Sequence, residues 1–265
     1  MKIFVLGSTG MLGNVVLKHF QNKGYNVSGT FRDKKFEDQN LVYFDALNPD
    51  FAILDGYDYI LNCIGIIKPF MNKNMADSIF INSIFPRKLA NYCEAKNIKL
   101  IHITTDCVFS GKEGRYDEDS LHDCLDEYGK SKSLGEPNNC MVIRTSIIGE
   151  EIHKNASLIS WVKSMKGKQV NGFKNHFWNG VTTKHYAEIC DEIIKNGYHE
   201  NGLFIVHSNI INKFELLNLL NNKYLLNLTI NEFEDKTTVD RTLISKKQLM
   251  NKIKIKTLEQ QIEEL

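Results

Sequence analysis

The sequence has no C-x-x-C pair, no apolar run long enough to cross a bilayer, no surplus of either charge and no Gly-Lys-Ser/Thr after its glycine turn. Each absence removes a class of protein. The six cysteines, Cys63, Cys93, Cys107, Cys124, Cys140 and Cys190, are scattered, and several lie in apolar runs. They read as free thiols packed as small hydrophobes in a reducing compartment, without a structural disulfide. With 33 basic and 32 acidic residues the formal charge is +1, which gives no general attraction to nucleic acid or membranes. The apolar start at Ile3 is broken at Gly7 before a signal-peptide core can form, so the expected location is cytoplasmic. His153, His176, His185 and His207 lack a metal-ligand rhythm, and no metal is expected. No internal repeat, low-complexity tract or flexible linker is present.

What remains is an ordinary folding composition, 265 residues at 42% hydrophobic and 25% charged, enough for one domain with a smaller lobe. Short apolar runs alternate with helical patterns. Strands are expected at Lys2–Leu6, Asn26–Thr30, Leu41–Phe44, Tyr59–Cys63, Lys99–Thr104 and Cys140–Arg144. Leu12, Val15, Val16, His19 and Phe20 recur at helical spacing, as do Ile84, Leu89, Ala90 and Cys93. Near-continuous apolar strands separated by helices predict an α/β fold, a Rossmann-like doubly wound parallel sheet. That core is placed at residues 1–150. Residues 151–265 are expected to form mainly a small C-terminal substrate lobe, with part of 180–200 returning to the core. Within the lobe, Ser157–Met165, Lys184–Asn196 and Phe214–Leu220 read as helices, Gly202–His207 as a strand, and Ser245–Leu265 as helical.

The first strand runs directly into Gly7-Ser-Thr9-Gly10-Met11-Leu12-Gly13 and then a helix. In this context Gly7 permits a tight turn, Gly10 lets backbone approach a pyrophosphate, and Gly13 allows close packing of helix on strand. The helix N-terminus then faces the negative charge. The second strand ends Gly29-Thr30-Phe31-Arg32-Asp33. Thr30 and Arg32 can receive a 2′-phosphate, which favours NADPH, whereas Asp33 could instead pair with a ribose hydroxyl and leaves NADH open. Asp45 lies where an adenine amino group would be met. Asn62 and Gly65 follow the fourth strand and are expected to line the nicotinamide half.

The second constellation is Thr104-Thr105-Asp106 followed by Tyr128 and Lys132. Tyr128 and Lys132 are four apart and share a helix face. A phenol titrates near pH ~10, so a neighbouring ammonium is needed to make it a proton relay near neutrality. Thr104, at the end of an apolar strand, is placed to polarise the same carbonyl. The spacing alone proves little, because Tyr92 and Lys96 satisfy it too. Those two have no strand-end hydroxyl upstream and read as a packed aromatic and a surface lysine. Cys107 beside Asp106 has no histidine partner and is set aside as a nucleophile. Trp178 can stack on a nucleobase or wedge between lobe and sheet. Asp117-Glu118-Asp119 reads as a solvated turn.

Across residues 102–136, the runs His102-Ile-Thr104-Thr105-Asp106-Cys-Val-Phe109-Ser-Gly111, Tyr116-Asp-Glu118 and Tyr128-Gly-Lys-Ser-Lys132-Ser-Leu-Gly135-Glu136 resemble the extended short-chain dehydrogenases/reductases. Within them the chain is most similar to the dTDP-4-dehydrorhamnose reductase group. Asn82 in Phe80-Ile-Asn82-Ser and Arg144-Thr145-Ser146 match further family features, and Asp240-Arg241-Thr242-Leu243-Ile244-Ser245 loosely resembles the family's C-terminal motif. The resemblance covers most of residues 1–200, is specific through 102–149 and thins beyond 210. It implies reduction of a nucleotide-linked 4-keto-6-deoxyhexose, with Thr104 as hydroxyl, Tyr128 as acid and Lys132 as the lysine that also holds the nicotinamide ribose. It adds Asn82 to the cofactor set, and places Thr105, Asp106, Arg144, Trp178 and Arg241 on the substrate side. The approach His122-Asp-Cys-Leu-Asp-Glu127, the stretch Ser146-Ile-Ile-Gly149 and the loop Asn62-Cys-Ile-Gly-Ile-Ile-Lys68-Pro69 depart from the group. These departures leave substrate identity open more than reaction class. An epimerase or dehydratase, and a dinucleotide-binding scaffold without turnover, stand as alternatives. The expected partner is a nucleotide-diphosphate sugar, not nucleic acid or membrane; a homodimer and coupling to a 3,5-epimerase are open.

Overall fold

The computed structural model of the chain describes residues 1–36, 41–153 and 156–265. Strand β1 (Lys2–Leu6) leads through the glycine turn into helix α1 (Met11–Asn22), followed by β2 (Asn26–Phe31), β3 (Leu41–Tyr43) and β4 (Tyr59–Asn62). Two short helices, α2 (Lys68–Met71) and α3 (Met75–Ile79), pass through a π-turn at Phe80–Ile84 into α4 (Phe85–Ala95). Then come β5 (Lys99–Thr104), α5 (Glu127–Leu134) and β6 (Met141–Arg144). After these the chain forms β7 (Ile147–Ile148), α6 (Leu158–Ser164), β8 (Gln169–Phe173), β9 (His176–Trp178), β10 (Val181–Thr182) and α7 (Thr183–Lys195). It ends with β11 (Gly202–Ile205), β12 (Ile211–Asn212), α8 (Lys213–Tyr224), β13 (Thr229–Phe233), β14 (Val239–Asp240), α9 (Leu249–Lys252) and α10 (Leu258–Glu263).

Seven strands make one sheet in the order β11-β6-β5-β4-β1-β2-β3, every pair parallel. The order reverses between β1 and β4, and in such sheets ligands sit outside the carboxyl ends of the strands at that point. Both faces are covered, which explains the apolar runs. Ile3 and Val5 of β1 point into one core with Val16 and Phe20 of α1 and Ile189 and Ile193 of α7. Phe4 and Leu6 point the other way, among Phe85 and Leu89 of α4. A third cluster, with Trp178, Leu216, Leu217, Leu220 and Leu258, is the core of the lobe.

More of the C-terminal half returns to the sheet than the 180–200 stretch. Gly202–Ile205 pairs in register with Met141–Arg144 as an outer strand, and Leu249 and Ile253 join the α1/α7 core. Ser245–Leu265 is not one helix. Ile253 is extended (ψ 148°), separating two short helices, and Lys256 there pairs with Glu188 at 2.8 Å and Glu264 at 2.7 Å. Those ion pairs and the burial of Ile253 outweigh the local helical preference.

Burial disfavours the charged form of several histidines in this fold. Burial holds His102 well below the ordinary value of 6.5, with Lys132 adding to it, and burial also lowers His199. Below pH about 6.5 the unfolded chain binds protons that these folded imidazoles refuse, so folding stability falls as pH drops through that window. The melting temperature is therefore expected to decline from pH 6.5 to 5. A melting temperature that rose on acidification would contradict the packing of His102.

Candidate functional site

The glycine turn forms an open cradle. Gly7 has φ +77°, which favours glycine, and its N–H donates to the Thr30 hydroxyl at 2.9 Å while Ser8 Oγ donates to the Thr30 carbonyl at 2.7 Å. Thr30 is buried, so its hydroxyl braces the turn from beneath. A Cβ on Gly13 would lie 2.2 Å from the Gly7 carbonyl oxygen, so any side chain there would push α1 off the turn. A Cβ on Gly10 would meet nothing nearer than that oxygen at 3.3 Å, and its α1-capping backbone lines the cleft with Met11 and Leu12. A dinucleotide pyrophosphate fits here: the surface is backbone and small, and it stands at the N-terminus of a 12-residue helix. Thr9 lies in the turn, partly exposed.

Past the second strand, Arg32 is exposed, and the Asp33 carboxylate accepts from Lys35 N–H at 3.2 Å and pairs with Lys35 Nζ at 3.1 Å. Those contacts hold Asp33 below the usual carboxylate range. Asp45 accepts from the Leu47 N–H at 3.1 Å, shaping the turn after β3. Asn62, at the end of β4, has its side chain committed: Oδ1 accepts from Ile64 N–H at 3.1 Å, and Nδ2 meets His102 Nδ1 at 3.0 Å. It acts by shaping the loop that carries Gly65. Asn82, on the π-turn, clasps the backbone of Ile66 from both sides, at 2.8 and 2.9 Å, and donates to Ser131 Oγ at 3.2 Å. π-turns recur where a helix must aim one side chain out of register. A Cβ on Gly65 would stand 3.6 Å from Lys132 Nζ, so that loop overlies the lysine.

A cleft of about 390 Å³ joins these parts, lined by Gly10, Gly65, Thr104, Thr105, Tyr128 and Lys132 among others. Asp126 caps α5 by accepting from Gly129 N–H at 2.9 Å, which starts the helix one residue before Tyr128. Gly129 lets α5 settle on the preceding loop, since a Cβ there would lie 2.3 Å from the Cys107 carbonyl. Thr104 and Thr105 both line the cleft with Tyr128, and it is the Thr105 hydroxyl that acts on the phenol, opposing its rise. Thr105 also donates to Asp106 at 3.0 Å, and Thr104 Oγ1 is buried without a partner among the described residues. Lys132 is buried and donates to the Ile103 carbonyl at 3.3 Å; burial lowers it from 10.5 to about 8. Burial raises the Tyr128 phenol, and the Cys107, Asp106 and Asp126 groups raise it further while Thr105 opposes them. Lys132 is not among the groups that move the Tyr128 phenol.

The substrate-side residues separate. Arg144 is 1% exposed and fully engaged, with Nε 3.1 Å and Nη2 2.7 Å from the Glu136 carboxylate and Nη2 2.6 Å from His122 Nε2. It cannot meet a diphosphate; it joins β6 to the end of α5. Arg241 donates to the carbonyls of Phe109 at 3.1 Å and Ser110 at 3.3 Å, fastening the loop after Asp106 to the lobe. Trp178 is 5% exposed within the lobe core, the wedge rather than an open stacking platform. Asp106 is buried beside Thr105. The acidic turn is a clasp: Glu118 accepts from Ile205 N–H and Ser245 Oγ, and Asp117 pairs with Lys246 at 2.6 Å. Tyr92 and Lys96 both bind Asp55 on the surface. No helix among the described residues is long and apolar enough to cross a membrane. Sequence reasoning missed His102 and Lys213. Nothing in their spacing marks them, since each matters through neighbours from other elements.

With this geometry in place, comparison with known proteins settles the family. The model for the RmlD substrate binding domain matches residues 1–223. The chain belongs to the RmlD substrate binding domain family. Across residues 1–223 the family match takes in the glycine cradle, the Thr105–Tyr128–Lys132 cleft and most of the lobe. A curated relative, the probable low-salt glycan biosynthesis reductase Agl14 of Haloferax volcanii, is 32% identical over 143 residues, 51% of this chain and 48% of that protein. The match thus spans about half the length of that relative. Methionine adenosyltransferase 2 subunit beta of Bos taurus is 28% identical over 227 residues, covering 76% of this chain and 67% of that one. Among solved structures, dTDP-4-dehydrorhamnose reductase from Bacillus anthracis in complex with NADP superposes with a TM-score of 0.80 at 17% identity, over 99% of this chain and 97% of that one. That likeness shows the same Rossmann-like fold, a parallel sheet covered by helices.

Proposed function

We propose that this RmlD-family protein is an NADPH-dependent reductase of the 4-keto group of a nucleotide-linked 4-keto-6-deoxyhexose, dTDP-4-dehydro-L-rhamnose or its UDP equivalent. The observation that carries the reading is the meeting of Thr105, Tyr128 and Lys132 in one cleft with the glycine cradle. When bound, the dinucleotide supplies hydride to the carbonyl carbon. Tyr128 gives its O–H proton to the carbonyl oxygen as negative charge develops there. Because burial keeps the phenol protonated, the proton is available to a strongly basic alkoxide and is not lost to solvent. Thr105 stands beside the phenol, and on substrate binding its O–H would turn from Asp106 to donate to the same oxygen. Lys132, protonated below pH about 8, stabilises the tyrosinate left behind and is the group expected to hold the nicotinamide ribose. In this reading Thr105 takes the hydroxyl role that the sequence assigned to Thr104.

NADPH over NADH rests on the end of β2. Arg32 is free of ion pairs among the described residues, Lys34 and Lys35 follow it, and Asp33 is engaged by Lys35 rather than presented to a ribose hydroxyl. Arg32→Ala is expected to weaken NADPH binding about tenfold or more and leave NADH within about twofold, because only NADPH offers a 2′-phosphate. Equal loss of both, measured by fluorescence titration, would make Arg32 a structural or pyrophosphate contact. The substrate is tested by incubating protein and NADPH with 4-keto-6-deoxysugars linked to dTDP or UDP, with and without a 3,5-epimerase, and following cofactor oxidation and product mass. Turnover only with the epimerised dTDP ketone selects the rhamnose-forming reading. Preference for a simple ketone without a nucleotide overturns the sugar-nucleotide assignment.

A further inference from the structure

Lys213 is an ammonium in a place that protein stability alone does not favour. It is the first residue of α8, after the Asn212 cap, where the helix presents its positive end and a cation is disfavoured. The side chain is half-buried, and burial lowers its affinity for a proton. Among the described residues no carboxylate lies within ion-pair distance of it and no hydrogen bond uses it. Its Nζ stands over the Trp178 ring, 5.2 Å from the centroid, which tolerates a cation but does not neutralise it. The ionisable groups that face it are Asp106, Cys107 and Arg241. Asp106 is turned to the Thr105 hydroxyl at 3.0 Å, and Arg241 adds a second positive charge while its own N–H groups are occupied by the carbonyls of Phe109 and Ser110. An unpaired cation therefore faces the Asp106–Cys107 stretch of the loop whose Thr105 and Cys107 line the Tyr128 cleft.

We propose that Lys213 receives a phosphate of the substrate's nucleotide diphosphate. The inference rests on reading the cleft as a nucleotide-sugar site. An anion entering between lobe and sheet meets Lys213 directly and the positive potential of α8 and Arg241 behind it. Trp178 holds the lysine stem against the lobe and limits where the ammonium can reach. Because no other ion pair has to be broken, the full attraction is available for binding.

The test uses the full chain saturated with NADPH and isothermal titration with dTDP, UDP, UDP-glucose and UDP-glucuronate. Lys213→Met is expected to weaken all four ligands roughly ten- to a hundredfold, with NADPH affinity unchanged and the melting temperature not lowered. Lys213→Arg keeps the charge and is expected to retain most of the affinity, which separates anion binding from a packing defect beside Trp178. Weakening of all four ligands assigns the diphosphate; weakening of UDP-glucuronate alone would overturn that assignment. If wild type binds these ligands and Lys213→Met binds them equally well, the Lys213 assignment is overturned and the nucleotide-sugar reading stands. If wild type binds none of the four, the nucleotide-sugar reading falls and this inference falls with it.

Discussion

Tyr128→Phe is expected to lower kcat by ~10²–10⁴ while leaving NADPH affinity and melting temperature near those of wild type. The phenyl ring keeps the packing of α5 over the cleft, and only the proton donor and its bond to Thr105 are lost. Comparing Thr105→Val with Thr104→Val in the same assay resolves which hydroxyl serves the reaction. The Thr105 change should approach the effect of Tyr128→Phe, because it removes the partner of the phenol. Thr104→Val should cost far less in rate, because its hydroxyl has no partner to lose among the described residues. Turnover of Tyr128→Phe within about threefold of wild type, with cofactor bound normally, would remove Tyr128 from the acid role.

The second large effect concerns stability. Arg144→Met should destabilise the protein by ~3–5 kcal/mol, because it leaves the Glu136 carboxylate buried without its cation. The Glu136 side chain is only 9% exposed, and the guanidinium meets it through both Nε and Nη2. Adding Glu136→Gln to Arg144→Met should recover part of the loss, since the second change removes the stranded charge. Denaturant melts of the single and double variants decide the matter. A stability loss under about 1 kcal/mol accompanied by a raised KM would return Arg144 to the substrate side.

These two residues also show how far the sequence could be read. Strands β1, β4, β5 and β6 were legible because they are buried on both faces, so their apolar runs are nearly unbroken. The cradle was legible because its glycines answer a local backbone demand: Gly7 a positive φ, Gly13 a contact that excludes Cβ. Tyr128 and Lys132 were legible through helical spacing. What could not be read depends on side-chain destination. Arg144 looked like a basic residue at the end of a strand, and only the fold reveals that Glu136, eight residues earlier, returns to meet it. Thr104 and Thr105 are equivalent in sequence, and the choice turns on where β5 stops. The seventh strand, β11, was read as part of the lobe because sequence order hides its pairing with β6. Lys213 carried no signal, since its interest lies in the partners it lacks.

The central claim, net reduction of a nucleotide-linked ketone with Tyr128 as proton donor, is tested most directly by following hydrogen itself. NADPH deuterated at the transferred position is incubated with the nucleotide-linked 4-keto-6-deoxysugar, and the product is analysed by mass spectrometry and NMR. The account predicts one deuterium on the new carbinol carbon for each NADPH consumed, with the transfer slowed in Tyr128→Phe. Product formed without deuterium, or isomerised sugar with the cofactor unconsumed, would contradict it.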